Sequence, residues 1–123
     1  MPGELSFFEI GTGDAERAQT FYTELFGWEF KTVEGGEGGS MIDTGGVPGG
    51  IHGGDAGASP YVFFRVDEMD SAVAEVRRLG GTAEPVGDGA DANPELVERF
   101  GRFMLCTDDQ GSSFGLHEPA AGR

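Results

Sequence analysis

The sequence predicts an α+β fold of two tandem βαβββ modules, forming a curved mixed sheet around a cleft with the helices on its outer face. Three observations carry that prediction. The hydrophobic period changes from two to about 3.6 and back, twice along the chain. Glycines stand where each change occurs. Shifting the first half by 54 positions superposes Phe7 on Tyr61, Ala18 on Ala72, Tyr22 on Val76, Leu25 on Leu79 and Gly27 on Gly81.

Each element follows from its residues. Leu5 to Thr12 is a short β-rich run closed by Gly and Asp. From Asp14 to Phe26 the residues Ala18, Phe21, Tyr22 and Leu25 recur at i, i+3, i+4 and i+7, the apolar stripe of a helix. Asp14 suits its N-cap and Gly27 its C-terminal stop. Trp28 to Val33 reads as a strand, the glycine-rich stretch 34–39 as a hairpin, Ser40 to Thr44 as a third strand and Gly50 to Gly53 as a short fourth. The pattern then restarts with a strand over Tyr61 to Val66. A helix over Asp67 to Leu79 follows, with Ala72, Val73, Val76 and Leu79 as its stripe. Thr82 to Val86, Arg102 to Thr107 and Ser113 to Glu118 supply three more strands. The stretch 87–101 is a long acidic loop with room for one helical turn at Pro94 to Glu98. The chain is thus expected to be one domain, with module one about 1–57 and module two about 58–123.

Composition limits the function. Eight Lys and Arg against 22 Asp and Glu leave a net charge of −14, a field that repels phosphate backbones and anionic lipid heads. Nucleic-acid and membrane partners are therefore not expected; the acidity serves solubility or a preference for cationic ligands. A single cysteine, Cys106, allows no intrachain disulfide and no thiolate metal cluster, and its apolar neighbours Met104 and Leu105 suit a buried, inert thiol. With no signal-like start and no apolar run approaching 18 residues, the expected location is cytoplasmic.

Strand alternation divides the side chains between two faces. Phe8 and Ile10 should meet the first helix, leaving Phe7, Glu9 and Gly11 opposite; Val62, Phe64 and Val66 should meet the second, leaving Tyr61, Phe63 and Arg65 opposite. Aromatics beside Glu9 and Arg65 are too mixed for a sealed core and suit a cleft. Phe21, Tyr22, Phe26 and Phe64 are expected in the core, while Trp28 and Phe103 suit core or cleft. Gly11-Thr12-Gly13 opens a helix but lacks the third glycine of a dinucleotide cradle, and no serine has the G-x-S-x-G setting of a nucleophile. Glu9 with Tyr61 or His52 remains able to perform general acid–base chemistry in a dry cleft. The plainer readings are a hydrogen-bonded structural carboxylate for Glu9, a loop residue for His52, and a strand end meeting solvent for His117 and Glu118.

Three segments, Phe7-Phe8-Glu9-Ile10 through Leu25-Phe26-Gly27-Trp28, Tyr61 through Leu79-Gly80-Gly81, and Asp108 through Pro119, resemble in order the vicinal oxygen chelate proteins, which include glyoxalases, bleomycin-resistance proteins and extradiol dioxygenases. The resemblance spans nearly the whole chain and is closest to the glyoxalase-related single-domain branch, with Asp109 where Pro is common. It implies metal ligands at cleft-facing positions of the first, fourth, fifth and eighth strands. Those positions here hold Phe7, Tyr61 and Gly115, with His52 in the glycine-rich fourth strand, so no metal and no cofactor are expected. An off-pattern metal site would have to draw on Glu9, His52, His117 and Glu118.

By that resemblance the chain is expected to sequester a planar or aromatic small molecule, an antibiotic or other natural product, as a resistance or self-resistance protein. The expected ligand-binding residues are Phe7, Trp28, Tyr61, Phe63 and Phe103 as flat walls, with Glu9, His52 and Arg65 orienting polar groups; no catalytic residue is assigned. The alternative is a glyoxalase- or dioxygenase-related enzyme, a lyase, isomerase or oxidoreductase, with a non-standard metal site or metal-free acid–base catalysis. The resemblance also implies a homodimer.

Overall fold

The computed structural model describes residues 2–33, 39–86 and 94–120. The expected hairpin tip (34–38) and the first seven residues of the acidic loop (87–93) lie outside them. Two compact units make up the chain: Phe7–Tyr61, and Val62–Arg123 together with the opening residues up to Ser6. The opening residues join the second unit because Gly3 N donates to Arg65 O and Arg65 N to Glu4 O, both at 2.8 Å.

In the first unit, β1 (Leu5–Gly11) leads through α1 (Ala15–Phe26) to β2 (Glu29–Thr32), β3 (Ser40–Asp43) and β4 (Gly49–His52). Asp14 caps α1 by accepting from Arg17 N at 3.2 Å, and Gly27 ends it at φ +78°, a left-handed backbone that favours glycine. The strands lie in the order β2-β3-β4-β1, antiparallel except for the parallel pair β1/β4. Ile10, Ile42 and Ile51 form the core, with Phe8, Ala18, Tyr22, Trp28 and Phe30 packed against it.

The second unit repeats that connectivity with β5 (Tyr61–Arg65), α2 (Met69–Arg78), β6 (Thr82–Pro85), β7 (Arg102–Thr107) and β8 (Ser113–Glu118), ordered β5-β8-β7-β6. Again only the pair of first and last strands, β5/β8, is parallel. A helix α3 (Pro94–Phe100) precedes β7 and is longer than the single turn its sequence suggests. Glu68 caps α2, which starts two residues later than expected, accepting from Asp70 N and Ser71 N. The core here is larger: Met69, Val73, Ala83, Met104, Cys106 and Leu116. A fully buried Met69, worth about 1.5–3 kcal/mol of transfer free energy, anchors α2 to its sheet.

The βαβββ modules of a mixed α+β fold are therefore present twice. The helix stripes are not equally used. In α1, Ala18 and Tyr22 face the isoleucines, but Phe21 and Leu25 are 60% and 58% exposed and Phe26 is 56% exposed. Each residue turns the helix by about 100°, so Phe21 lies about 100° round from Tyr22, beyond the arc that the small core covers. Among the described residues no helix is long and apolar enough to cross a membrane.

Candidate functional site

The parallel pairing of β1 and β4 sets Phe8 opposite Gly49, Glu9 opposite Gly50, and Gly11 opposite His52. Since strand side chains alternate, Glu9 and His52 share the face away from α1. Glycine is required twice in this register. A Cβ on Gly49 would enter the Phe8 ring on the helix side, and one on Gly50 would meet Glu9 Oε1 on the other. Gly11 serves the same end, because its Cβ would stand 2.9 Å from His52 Nε2. The chain then turns back at Gly54 (φ +71°), where Gly54 N donates to Gly13 O at 3.1 Å and Asp55 N to Thr12 O at 2.8 Å.

That turn delivers Asp55 to the second nitrogen of His52. His52 Nδ1 lies 2.6 Å from Glu9 Oε2 and Nε2 lies 3.0 Å from Asp55 Oδ2. Ionised carboxylates only accept, so both contacts are satisfied together when the ring is the doubly protonated imidazolium. Burial works against charging His52, but the hydrogen bonds and charges of Glu9 and Asp55 outweigh it and raise its pKa above 6.5. Burial also raises the Glu9 pKa above 4.5, with His52 holding back part of the rise. With all three ionised the cluster carries one net negative charge. It sits partly open to solvent, the side chains of Glu9 and His52 being 29% and 39% exposed. Such an array can accept hydrogen bonds from a cationic or N–H-rich ligand, or exchange a proton with one.

It does not fit a metal ion. Both His52 nitrogens face carboxylates, Phe7, Tyr61 and Gly115 carry no donor suited to a divalent ion, and no group of three His, Cys, Asp or Glu among the described residues is arranged to hold one.

The second unit carries a different arrangement on its face away from α2. Phe63 pairs with Gly115, where a Cβ would collide with its ring. Phe103 meets Phe63 edge-on at 5.2 Å, and His117 stacks on Phe103 at 4.3 Å and 7°. His117 Nε2 lies 2.7 Å from the Phe100 carbonyl, which only accepts, so that nitrogen carries the proton. Nδ1 is then the acceptor, and Ser6 Oγ donates to it at 2.7 Å. Burial lowers the His117 pKa, against the opposing pull of the Phe100 bond, and keeps the ring neutral. Arg65, opposite His117 in the register, lies 3.9 Å from Glu4 and 3.8 Å from Asp67; its buried Nε has no hydrogen-bond partner among the described residues.

The expected site residues are thus distributed as follows. Phe7, Glu9 and His52 share one face of the first unit, Phe7 being buried at 7% exposure. Tyr61 is half-buried at the start of β5. Phe63 (buried), Arg65 and Phe103 belong to the second unit. Of the two places open to Trp28, core or cleft, its contacts are with the core: it lies on the helix side, 5.7 Å from Phe8, 5.5 Å from Tyr22 and 4.8 Å from Phe26. There it lines a separate groove of about 560 Å³ with Glu24, Glu29 and Phe30. His117 is likewise no solvent-facing strand end but 7% exposed, and Glu118 Oε1 accepts from Met69 N at 2.6 Å, securing the start of α2. Sequence patterning does not point to Asp55 or Ser6. The Gly53-Gly54 pair ahead of Asp55 was the available signal for a tight return; Ser6 had none beyond its place in the first strand.

Residues 5–45 match the bleomycin resistance protein-like N-terminal family. A glyoxylase-like domain-containing protein of Didymella fabae is 31% identical over 127 residues, covering 94% of this chain and 94% of its own. Among solved structures, methylmalonyl-CoA epimerase from Mycobacterium tuberculosis superposes with a TM-score of 0.61 at 17% identity, over 95% of this chain and 88% of that one. A methylmalonyl-CoA epimerase of Streptomyces coelicolor, in complex with 2-nitronate-propionyl-CoA, gives 0.58 at 16% identity, over 94% and 96%. At such identities the shared fold is what these likenesses establish.

Proposed function

The chain belongs to the vicinal oxygen chelate superfamily, as a glyoxylase-like domain, and we propose that it binds and sequesters a planar organic cation on the face bearing Glu9 and His52. The observation that carries this is the hydrogen-bonded row Glu9–His52–Asp55, a negative, half-open cluster with the buried ring of Phe7 on the same face. A ligand amine or N–H edge would be held by Glu9 and Asp55, and the net charge of −14 would draw a cation toward the protein. The match of residues 5–45 to the bleomycin resistance protein-like family supports sequestration as the use of that binding.

The test is thermal unfolding against a panel of planar aromatic amines, with the same compounds in neutral form as controls. A compound at about 100 times its Kd adds roughly 2.7 kcal/mol of stability. Stabilisation of the wild type that is lost in Glu9→Gln and His52→Gln, with the compound recovered unchanged, is the expected result. Equal stabilisation of all three proteins, or none of the wild type by any compound, would refute the proposal.

One observation favours a second reading, metal-free proton transfer. Glu9 is a carboxylate of raised pKa, held by a histidine that Asp55 orients in turn, which is how a general base is poised nearer neutral pH. Recovery of a chemically altered compound, dependent on Glu9, would select this reading over sequestration.

A further inference from the structure

The groove of about 560 Å³ that Trp28 lines runs between α1 and the start of β2, and its volume is that of a small-molecule site. Glu16, Gln19, Thr20, Thr23 and Glu24 form its helical wall, spaced i, i+3, i+4, i+7 and i+8 and therefore on one face. Trp28, Glu29 and Phe30 form the other wall.

The second module shows that the fold does not require this groove. By the 54-residue repeat, Gln19 corresponds to Val73, Thr23 to Arg77 and Glu29 to Ala83. There Val73 is buried in the core, and Arg77 Nη2 donates to Ala83 O at 3.1 Å, tying α2 to β6. The same seam is thus filled and bridged in one module, and lined by Gln19, Thr23 and Glu29 in the other.

The groove presents acceptors. Glu16, Glu24 and Glu29 form no ion pair among the described residues. Thr20 and Thr23 donate their single hydroxyl protons to backbone carbonyls, of Glu16 at 3.4 Å and of Trp28 at 3.0 Å, which leaves their oxygens to accept. Gln19 donates an amide N–H to Ser40 Oγ at 3.0 Å. Walls of this kind select a ligand rich in N–H donors and positive charge. The half-buried rings of Trp28 and Phe30 suit its apolar stem and attract its cations. Eight residues separate Glu16 from Glu24, about 12 Å along the helix, so a compact cation reaches only one end.

We propose that this groove binds a linear aliphatic polyamine. Its ammonium groups meet the Glu16 and Glu24 ends, and its methylene chain lies against Trp28 and Phe30. The net charge of −14 draws such a polycation toward the chain. The groove lies on the helix side of the sheet, whereas Glu9 and His52 share the opposite face, so the two sites are independent.

Trp28 is the only tryptophan, so its fluorescence reports on the groove. The test is titration of the full chain with spermidine at fixed ionic strength, with equilibrium dialysis as the direct measure of binding. One saturable site with a Kd below about 1 mM is expected, at least about tenfold tighter than for butylamine or Mg²⁺. Glu24→Gln and Glu29→Gln should each weaken it by roughly threefold to tenfold. Thr23→Arg, which puts the second module's residue type into the groove, should abolish binding with an unchanged circular dichroism spectrum. Glu9→Gln should bind spermidine as the wild type does, which separates this site from the ligand face proposed above. Three results would overturn the proposal: no saturable binding up to about 10 mM, equal binding of Mg²⁺ or butylamine, or binding indifferent to the three groove substitutions.

Discussion

His52 Nδ1 stands 2.6 Å from Glu9 Oε2 across a parallel strand pair in which the residue opposite Glu9 is a glycine, Gly50. The glycine leaves the space that the carboxylate occupies, and the carboxylate keeps the imidazole charged. Asp55 closes the row from the far side at 3.0 Å. Backbone register thus sets the electrostatics of this face.

The two histidines of the chain should titrate on opposite sides of 6.5, His52 above and His117 below. Stability from His52 is full below the unfolded value of about 6.5 and is lost as pH rises through its folded pKa. Stability from His117 is present above about 6.5 and is lost as pH falls toward its lowered folded pKa. Ring-proton NMR across this range resolves both, and Glu9→Gln should move the His52 midpoint down while leaving that of His117 in place. Two midpoints on the same side of 6.5 would contradict the assignments.

Gly50→Ala should cost about 1–3 kcal/mol in chemical denaturation, as overpacking does, because its Cβ meets Glu9 Oε1. The same variant should lower the His52 midpoint by displacing its partner. An unchanged His52 titration would show that Glu9 does not need the space above Gly50.

Cys106 is 3% exposed, and burial pushes its thiol pKa up, so little reactive thiolate is available. A disulfide exchange reagent should modify it slowly in native protein and rapidly once denaturant is added. Fast modification of the native chain would contradict its place in the core beside Met104 and Leu116.

The fold was legible because its signals are local and repeated. The 3.6-residue stripes, the stopping glycines and the period-two strands each predicted an element without knowledge of its partner. The division of faces in the first strand was legible too, since Phe8 and Ile10 pack on the isoleucine side and Glu9 does not. What depends on distant pairing was not. Asp55 reaches His52 through a left-handed turn at Gly54, and Trp28, directly after the Gly27 stop of α1, meets Phe8 from the neighbouring strand. The α1 stripe also misled: periodicity shows which residues share a side, but the width of the arc that the sheet covers is set by the small core of Ile10, Ile42 and Ile51.

Calorimetric titration of the wild type and Glu9→Gln with the planar aromatic amine that stabilises the protein most tests the ligand site most directly. One site per chain is expected in the wild type, with a loss of tenfold or more in affinity for Glu9→Gln, corresponding to about 1.4 kcal/mol or more. Equal affinity in both proteins would contradict it and remove Glu9 and His52 from the binding face.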